Sequence, residues 1–353
     1  MANRLYDNFI LENKIKSIID TKLNANRLFT TNYGLTTHPG MIYKIHKYLS
    51  DAGKAEWLAK TEGNTKVIEA GYTDEEYVVG TVQDKTIWYD EDEMTDPVLV
   101  DTLVKGVGEN ITEFILKAAI GEMENTKHKY EIDWTQATTT PNYIFGLIAD
   151  ALAIIAENNI EEDSNYCIYI HPSKEAVIRK SLLDNLKYTE DYIRTGAIGA
   201  VCGVPVYRSN DIPEDCMFVE NSGAMTCFLK KNLETETDRD PDTRKNYLWA
   251  RQVGVIAMTD ENKCIAYCPA GTTPTIDAMT TASTKVKGEC APNSNVVAYL
   301  NDEFLVNGES DDDGDFEMNI PDGVTLVAGD KVKVTVFEGG KAPASATVTV
   351  TAS

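Results

Sequence analysis

Cys264 and Cys268 stand four residues apart in CIAYC, and on a strand that spacing puts both thiols on one face. A zinc site would need four soft or imidazole ligands, and no second cysteine or histidine pair lies near in sequence, so the two read as core thiols. The seven cysteines, Cys167, Cys202, Cys216, Cys227, Cys264, Cys268 and Cys290, are odd in number and embedded in apolar segments. They are expected to be free thiols of a reducing cytoplasm, with no disulfides. The histidines His38, His46, His128 and His171 could supply a general base, but no motif ties any of them to a nucleophile. Asp311, Asp312, Asp313, Gly314 and Asp315 offer oxygens for calcium, yet the bidentate glutamate of a helix-loop-helix site would fall at Ile320. A solvated turn is the better reading. Gly106-Val107-Gly108 lacks the third glycine of a dinucleotide fingerprint, whose place is taken by Ile111. Gly196, Gly199 and Gly203 lack the Lys-Ser/Thr pair of a phosphate loop and read as a tightly packed turn. The chain therefore carries no recognisable catalytic, cofactor-binding or metal-ligating set, and is expected not to be an enzyme.

The charge balance excludes more. With 33 basic and 56 acidic side chains the formal charge is −23 and the pI about 4.6, a field that repels phosphate backbones and keeps free subunits soluble. No apolar run of membrane-spanning length occurs, and MANRLYDNFILENKIKSIID at the start has charges scattered where a signal peptide needs an apolar stretch. Neither insertion in a membrane nor secretion is expected. The 42% hydrophobic content is enough for two or three domains.

What remains is architecture. Residues 1–60 are mixed and polar, with amphipathic stretches at 9–19 and 41–58, and read as an extended arm with short helices. Short β-like runs at 77–82 and 86–89, divided by Gly80 and Asp84 and closed by DEDEMTDP, predict a long hairpin over residues 61–101. The period then changes. Val104, Val107, Ile111, Ile115 and Ala118 recur at three- and four-residue intervals, predicting a helix of about 25 residues ending near Lys129. Ile144, Leu147, Ile148, Ala151, Leu152 and Ile155 form a second amphipathic helix. YCIYI, VPVYR, CMFVE and MTCFL are short strands of a mixed α/β domain, and a helix carrying Ile178, Leu182 and Leu186 follows Pro172. The strand at 247–258 is expected to form an antiparallel hairpin with CIAYC. From Thr272 onward helical signals vanish, and short alternating runs predict a β-sandwich. That segment holds five lysines against 13 acidic residues, so body and tail are both acidic.

This order of elements over residues 1–268 resembles the Hong Kong 97-type major capsid fold. GAIGAVCGVPVYRSNDIPEDCMFVEN at 196–221 is similar to the axial-domain segment of those proteins, and IHPSKEAVIRK at 170–180 to the strand-to-helix step before it. The tail resembles bacterial immunoglobulin-like modules, on SDDDGDFEMNIP at 310–321 and LVAGDKVKVTV at 326–336.

The resemblance implies an α+β protein. Its parts are an N-terminal arm (1–60), an extended loop (61–101), peripheral and axial capsid domains with a spine helix (102–271) and an immunoglobulin-like domain (272–353). It implies a phage major capsid protein that self-assembles into hexamers and pentamers of an icosahedral shell in the host bacterial cytoplasm. Portal and scaffolding proteins would be partners, and double-stranded DNA would be enclosed without specific binding. The extended loop would lie across a neighbouring subunit. A two-stranded hairpin is marginal alone, so its Trp88 and Tyr89 are expected on a partner surface, the alternative being that both pack on their own chain. Two other readings compete: an encapsulin-type compartment with the same fold, and a bacterial surface adhesin with an immunoglobulin-like tail.

Overall fold

The computed structural model describes residues 8–26, 28–37, 40–49, 71–96, 98–140, 142–158, 165–183, 200–321 and 323–352. In chain order the first elements are α1 (Asn8–Asn26), β1 (Thr30–Asn32), β2 (Ile42–Leu49), β3 (Gly71–Val78), β4 (Gly80–Tyr89), the short α2 (Asp90–Thr95) and α3 (Leu99–Glu124). There follow β5 (Lys129–Glu131), α4 (Gln136–Thr139), α5 (Tyr143–Asn158), β6 (Tyr166–Ile170), α6 (Pro172–Leu183), β7 (Ala200–Val201), β8 (Val204–Arg208) and β9 (Met217–Asn221). Two long strands, β10 (Met225–Asp240) and β11 (Lys245–Met258), precede β12 (Cys264–Cys268). The tail contains β13 (Thr275–Ile276), β14 (Lys285–Glu289), β15 (Asn295–Leu300), β16 (Glu303–Glu309), β17 (Asp315–Asn319), β18 (Lys331–Phe337) and β19 (Ala344–Thr349). Two compact units result: Met1–Met123 with Asn221–Lys263, and Glu124–Glu220 with Cys264–Ser353.

In the first unit, β1, β10, β11 and β4 form one sheet in that order, with β1 parallel to β10 and the rest antiparallel. One face of that sheet contributes Trp88, Leu233, Leu248 and Ala250 to a core shared with both helices. Leu11, Ile15 and Ile19 recur every fourth residue of α1 and meet Val100, Val104, Val107, Ile111 and Ile115 of α3 in that core. Gly108 lets the helices approach closely, since a Cβ there would lie 3.2 Å from Ile18 Cγ2. This glycine is thus a packing residue in mid-helix.

The hairpin departs from the sequence expectation. The runs at 77–82 and 86–89 are not opposing legs: β3 continues through buried Val79 into β4, and the partner of β3 is β2, in register from Ile42↔Val78 to Leu49↔Gly71. Residues 50–70, which include the start of the expected loop at Thr61, lie outside the described residues. Asp84 marks no turn but lies within β4, its carboxylate accepting from Asn110 Nδ2 of α3 at 2.9 Å and from the Lys85 backbone N–H at 2.8 Å. The stretch beginning at Met41, expected to be helical, is a strand to Leu49: in IYKIHKYL, β-branched and aromatic residues are interleaved with polar ones.

The second unit holds a six-stranded mixed sheet in the order β5-β12-β9-β6-β8-β7. Its Ile168, Ile170, Met217, Val219, Ile265 and Tyr267 pack against Ile144, Ile148, Ala151 and Ile155 of α5 and Ile178 of α6. The expected hairpin between the strand ending at Met258 and CIAYC does not form. Both hydrogen-bonding edges of β11 are occupied, by β10 and β4, and after a 3-10 turn at Glu261–Lys263, β12 pairs with β9 and β5. MTCFL is only the beginning of β10, whose polar continuation KKNLETETDRD is held by pairing to β11.

The tail consists of two antiparallel sheets, β13-β14-β17 and β16-β15-β18-β19. They enclose one core of Val286, Phe316, Met318, Val296, Ala298, Leu305, Val332, Val334 and Val336. Among the described residues no helix is long and apolar enough to cross a membrane.

Candidate assembly surface

The inner face of the first unit's sheet is committed to its core, so the alternate residues of the same strands define the opposite face. On β4 these are Gln83, Lys85, Ile87 and Tyr89, of which Ile87 is 46% and Tyr89 41% exposed. The register sets Gln83, Lys85 and Ile87 opposite Arg251, Trp249 and Tyr247 of β11, and sets Glu234 and Glu236 of β10 opposite Arg251 and Trp249. Tyr247 and Trp249 stack with ring centroids 5.4 Å apart at 16°, and Lys85 Nζ lies 4.6 Å and 5.1 Å from the two centroids. Lys245 Nζ lies 5.5 Å from the Tyr89 ring.

Arg251 organises the adjoining polar patch. Its Nε donates to Glu234 Oε2 at 2.8 Å and its Nη2 to Glu236 Oε1 at 3.2 Å. Lys231 Nζ reaches the same Glu234 oxygen at 2.7 Å. Hydrogen bonds from Lys231 and then Arg251 hold the Glu234 carboxyl below the usual range, and the bond to Glu234 raises the Arg251 guanidinium. Gln83, Glu234, Glu236, Trp249 and Arg251 line a shallow cavity of about 210 Å³. At the end of the sheet Asp90 accepts from Asn246 Nδ2 at 2.7 Å and Arg239 Nη2 at 2.5 Å, and both bonds lower its pKa. The acidic run 90–97, expected to be a turn, is thereby a docked helical turn over Asp90–Thr95.

The two residues expected on a partner surface are separated by the pleat. Trp88 is a correction: it points into the core of its own chain and is 6% exposed, because neighbours on a strand face opposite ways. Among the described residues its indole N–H finds no hydrogen-bond partner. Tyr89 lies on the exposed face. The sequence pattern Tyr247, Trp249, Arg251 is the signal that adds to it, an aromatic and basic alternation on a strand whose other face carries the buried Leu248 and Ala250.

Of the remaining chemical candidates, His38, Gly196 and Gly199 and the side chain of His46 lie outside the described residues, and Cys264, His171 and Asp311 are absorbed into the structure. Cys264 is buried and its thiol is pushed well up by desolvation. His171 Nδ1 lies 2.8 Å from Ser173 Oγ at the start of α6. The Asp311 carboxylate accepts from the backbone N–H groups of Asp313 and Asp315, at 3.0 and 2.8 Å, forming a closed turn with Gly314 at φ 94°. Among the described residues no group of three or more His, Cys, Asp or Glu is arranged to hold a metal ion.

No family model matches the chain. No curated protein matches it either. Solved structures do. A chain of a virus-like particle from Pyrococcus furiosus superposes with a TM-score of 0.52 at 10% identity, over 73% of this chain and 97% of that one. A chain of Mycobacterium phage Che8 gives 0.51 at 14% identity, over 69% and 89%. The fold is the Hong Kong 97-like capsid fold. At such low identity the likeness is one of architecture: a long helix against a sheet fed by an extended hairpin, and a second mixed sheet covered by helices. The match takes in 97% and 89% of the two chains, and between a quarter and a third of the present chain has no counterpart in them.

Proposed function

We propose that the chain is the major capsid protein of a tailed bacteriophage, a non-enzymatic subunit that assembles into a closed icosahedral shell of hexamers and pentamers. The observation that carries this reading is the combination of the β2–β3 hairpin with the solvent-facing sheet surface of Tyr89, Tyr247, Trp249 and Arg251 in a Hong Kong 97-like fold. The base of the ribbon rests on its own sheet, with Tyr43, Ile45 and Tyr77 against Phe228, Val253 and Val255, while farther along the same face the stacked aromatic pair beside a guanidinium has the composition of an interface hot spot. In the assembled shell the hairpin of one subunit lies across its neighbour. Residue 89 contacts the neighbour directly, while Trp88 supports the strand from within.

The tail is the part that favours a phage particle over an encapsulin-type compartment. Its strand order supports an immunoglobulin-like module: with β13 to β19 lettered A, B, C, C′, E, F and G, they form an A-B-E sheet and a C′-C-F-G sheet. Such a module can add surface to a shell without altering its lattice, and an adhesive role at the particle surface is part of this proposal. Portal and scaffolding proteins are the further partners, and the acidic shell encloses double-stranded DNA without binding it tightly.

The encapsulin reading is retained on one observation, the match to the Pyrococcus furiosus virus-like particle. The test is negative-stain electron microscopy with light scattering on the chain expressed alone and then with its neighbouring genes. Shells that require a scaffold and package DNA support the phage reading. Closed shells from the chain alone that enclose a protein cargo support the compartment. A monomer under every condition overturns both.

A further inference from the structure

We propose that Cys216 and Cys268 are a redox pair that closes into a cross-strand disulfide. The inference rests on the second unit alone and stands whatever particle the chain forms. The two Sγ atoms are 3.1 Å apart, with the Cys216 thiol donating to Cys268. The strand register explains the contact. Tyr267 pairs with Met217 across antiparallel β12 and β9, which sets Cys268 directly opposite Cys216. On β12 the Ala266 N–H and the Cys268 carbonyl are turned the other way, bonding the His128 carbonyl and the Ile132 N–H at 2.9 Å each. Cys268 and Cys216 therefore occupy a non-hydrogen-bonded antiparallel position, where Cα atoms approach to roughly 4.5 Å. That separation lies inside the range a disulfide spans. The pairing that the odd cysteine count and scattered positions hid is produced by the fold.

The environment favours Cys268 as the attacking sulfur. The bond from Cys216 and the nearby Lys129 ammonium lower its thiol pKa against the opposing effect of burial, while the Cys216 thiol is raised. The oxidant is a low-molecular-weight disulfide. The Cys268 thiolate attacks one of its sulfurs, forming a mixed disulfide and releasing one thiolate. The Cys216 sulfur then attacks the Cys268 sulfur, its proton passes to solvent, and the second small thiol leaves. Two protein thiols are oxidised and one small disulfide is reduced to two thiols. Access is gated by the tail. Both cysteines are at most 2% exposed, and the Gly340 carbonyl lies 3.6 Å from Cys216 Sγ, in a loop fixed by the Ala342 N–H bonding the Pro269 carbonyl at 2.9 Å. Exchange thus requires this loop to lift.

The test uses the full chain, fully reduced and then held with excess oxidised glutathione at a temperature just below its unfolding transition. Residual thiols are alkylated after denaturation and the peptides are mapped by mass spectrometry, with fragmentation distinguishing Cys216 from Cys227 and Cys268 from Cys264. The expected result is a fall from seven titratable thiols to five. A 216–268 linked peptide accompanies it, with a rise in Tm that dithiothreitol reverses. Cys216→Ser and Cys268→Ser are each expected to keep their remaining thiols and to show no Tm response to oxidant. Should either variant fail to fold, the linked peptide in the parent chain decides the matter alone. Seven free thiols after prolonged exposure, or glutathione adducts with no internal bond, overturn the proposal.

Discussion

Arg251 is bound to two glutamates on the face that the shell reading assigns to a neighbour, and its exposed ion pairs add little to the stability of the free chain. Arg251→Ala is therefore expected to leave Tm almost unchanged while weakening subunit association by about tenfold or more, as loss of an interface anchor does. Sedimentation velocity beside thermal unfolding separates the two effects, and a large Tm loss with normal association would remove the residue from the interface. Glu220 presents the opposite case. It is 1% exposed, neither carboxylate oxygen has a hydrogen-bond partner among the described residues, and burial raises its pKa well above the ordinary value. A carboxyl with a raised folded-state pKa contributes its full stability below the unfolded pKa, near 4.3, and loses it as pH rises toward the folded value. Glu220→Gln should accordingly be more stable than the parent at pH 7, with the advantage vanishing near pH 4 in urea titrations. Trp88 was legible as important but not as buried, because an aromatic in a strand declares its face only once the register is known. Trp88→Phe, which removes an unpartnered N–H, is expected to cost less than about 1 kcal/mol, against roughly 3–5 kcal/mol for Trp88→Ala.

Helices were legible where one face was apolar and the period was 3.6. Val104, Val107, Ile111 and Ile115 announced α3, and the same residues form its buried side. Strands defined by tertiary pairing were not. The second half of β10 is almost wholly polar and is a strand because β11 holds it, and β2 was mistaken for helix because eight residues with aromatic and basic alternation satisfy either period loosely. The packing of α1 on α3 offers a test at this scale. Ile15 is fully buried at the crossing beside Gly108. Ile15→Ala should cost about 2–5 kcal/mol. Gly108→Leu should cost about 1–3 kcal/mol by overpacking against Ile18. Equal stability of Gly108→Leu and the parent in equilibrium urea unfolding would show that the helices separate freely, contrary to the tight contact seen.

At the scale of the molecule, the order of domains was legible because composition shifts where architecture does. The division into units was not, because residues 221–263 return to the first unit across a long stretch of sequence that carries no mark of it. Net charge was legible outright, and it sets the last expectation. On the shell reading every subunit brings −23, of which the segment from Thr272 supplies −8. Copies packed edge to edge repel over distances comparable to the Debye length, which shrinks from roughly 14 to 4 Å between 0.05 and 0.5 M salt. Assembly of the full chain should therefore advance as salt is raised over that range, followed by light scattering. A chain ending at Gly271, with a third less charge, should show a smaller salt response. Assembly that instead weakens with salt would mean that complementary charge pairs between subunits outweigh the repulsion of the whole.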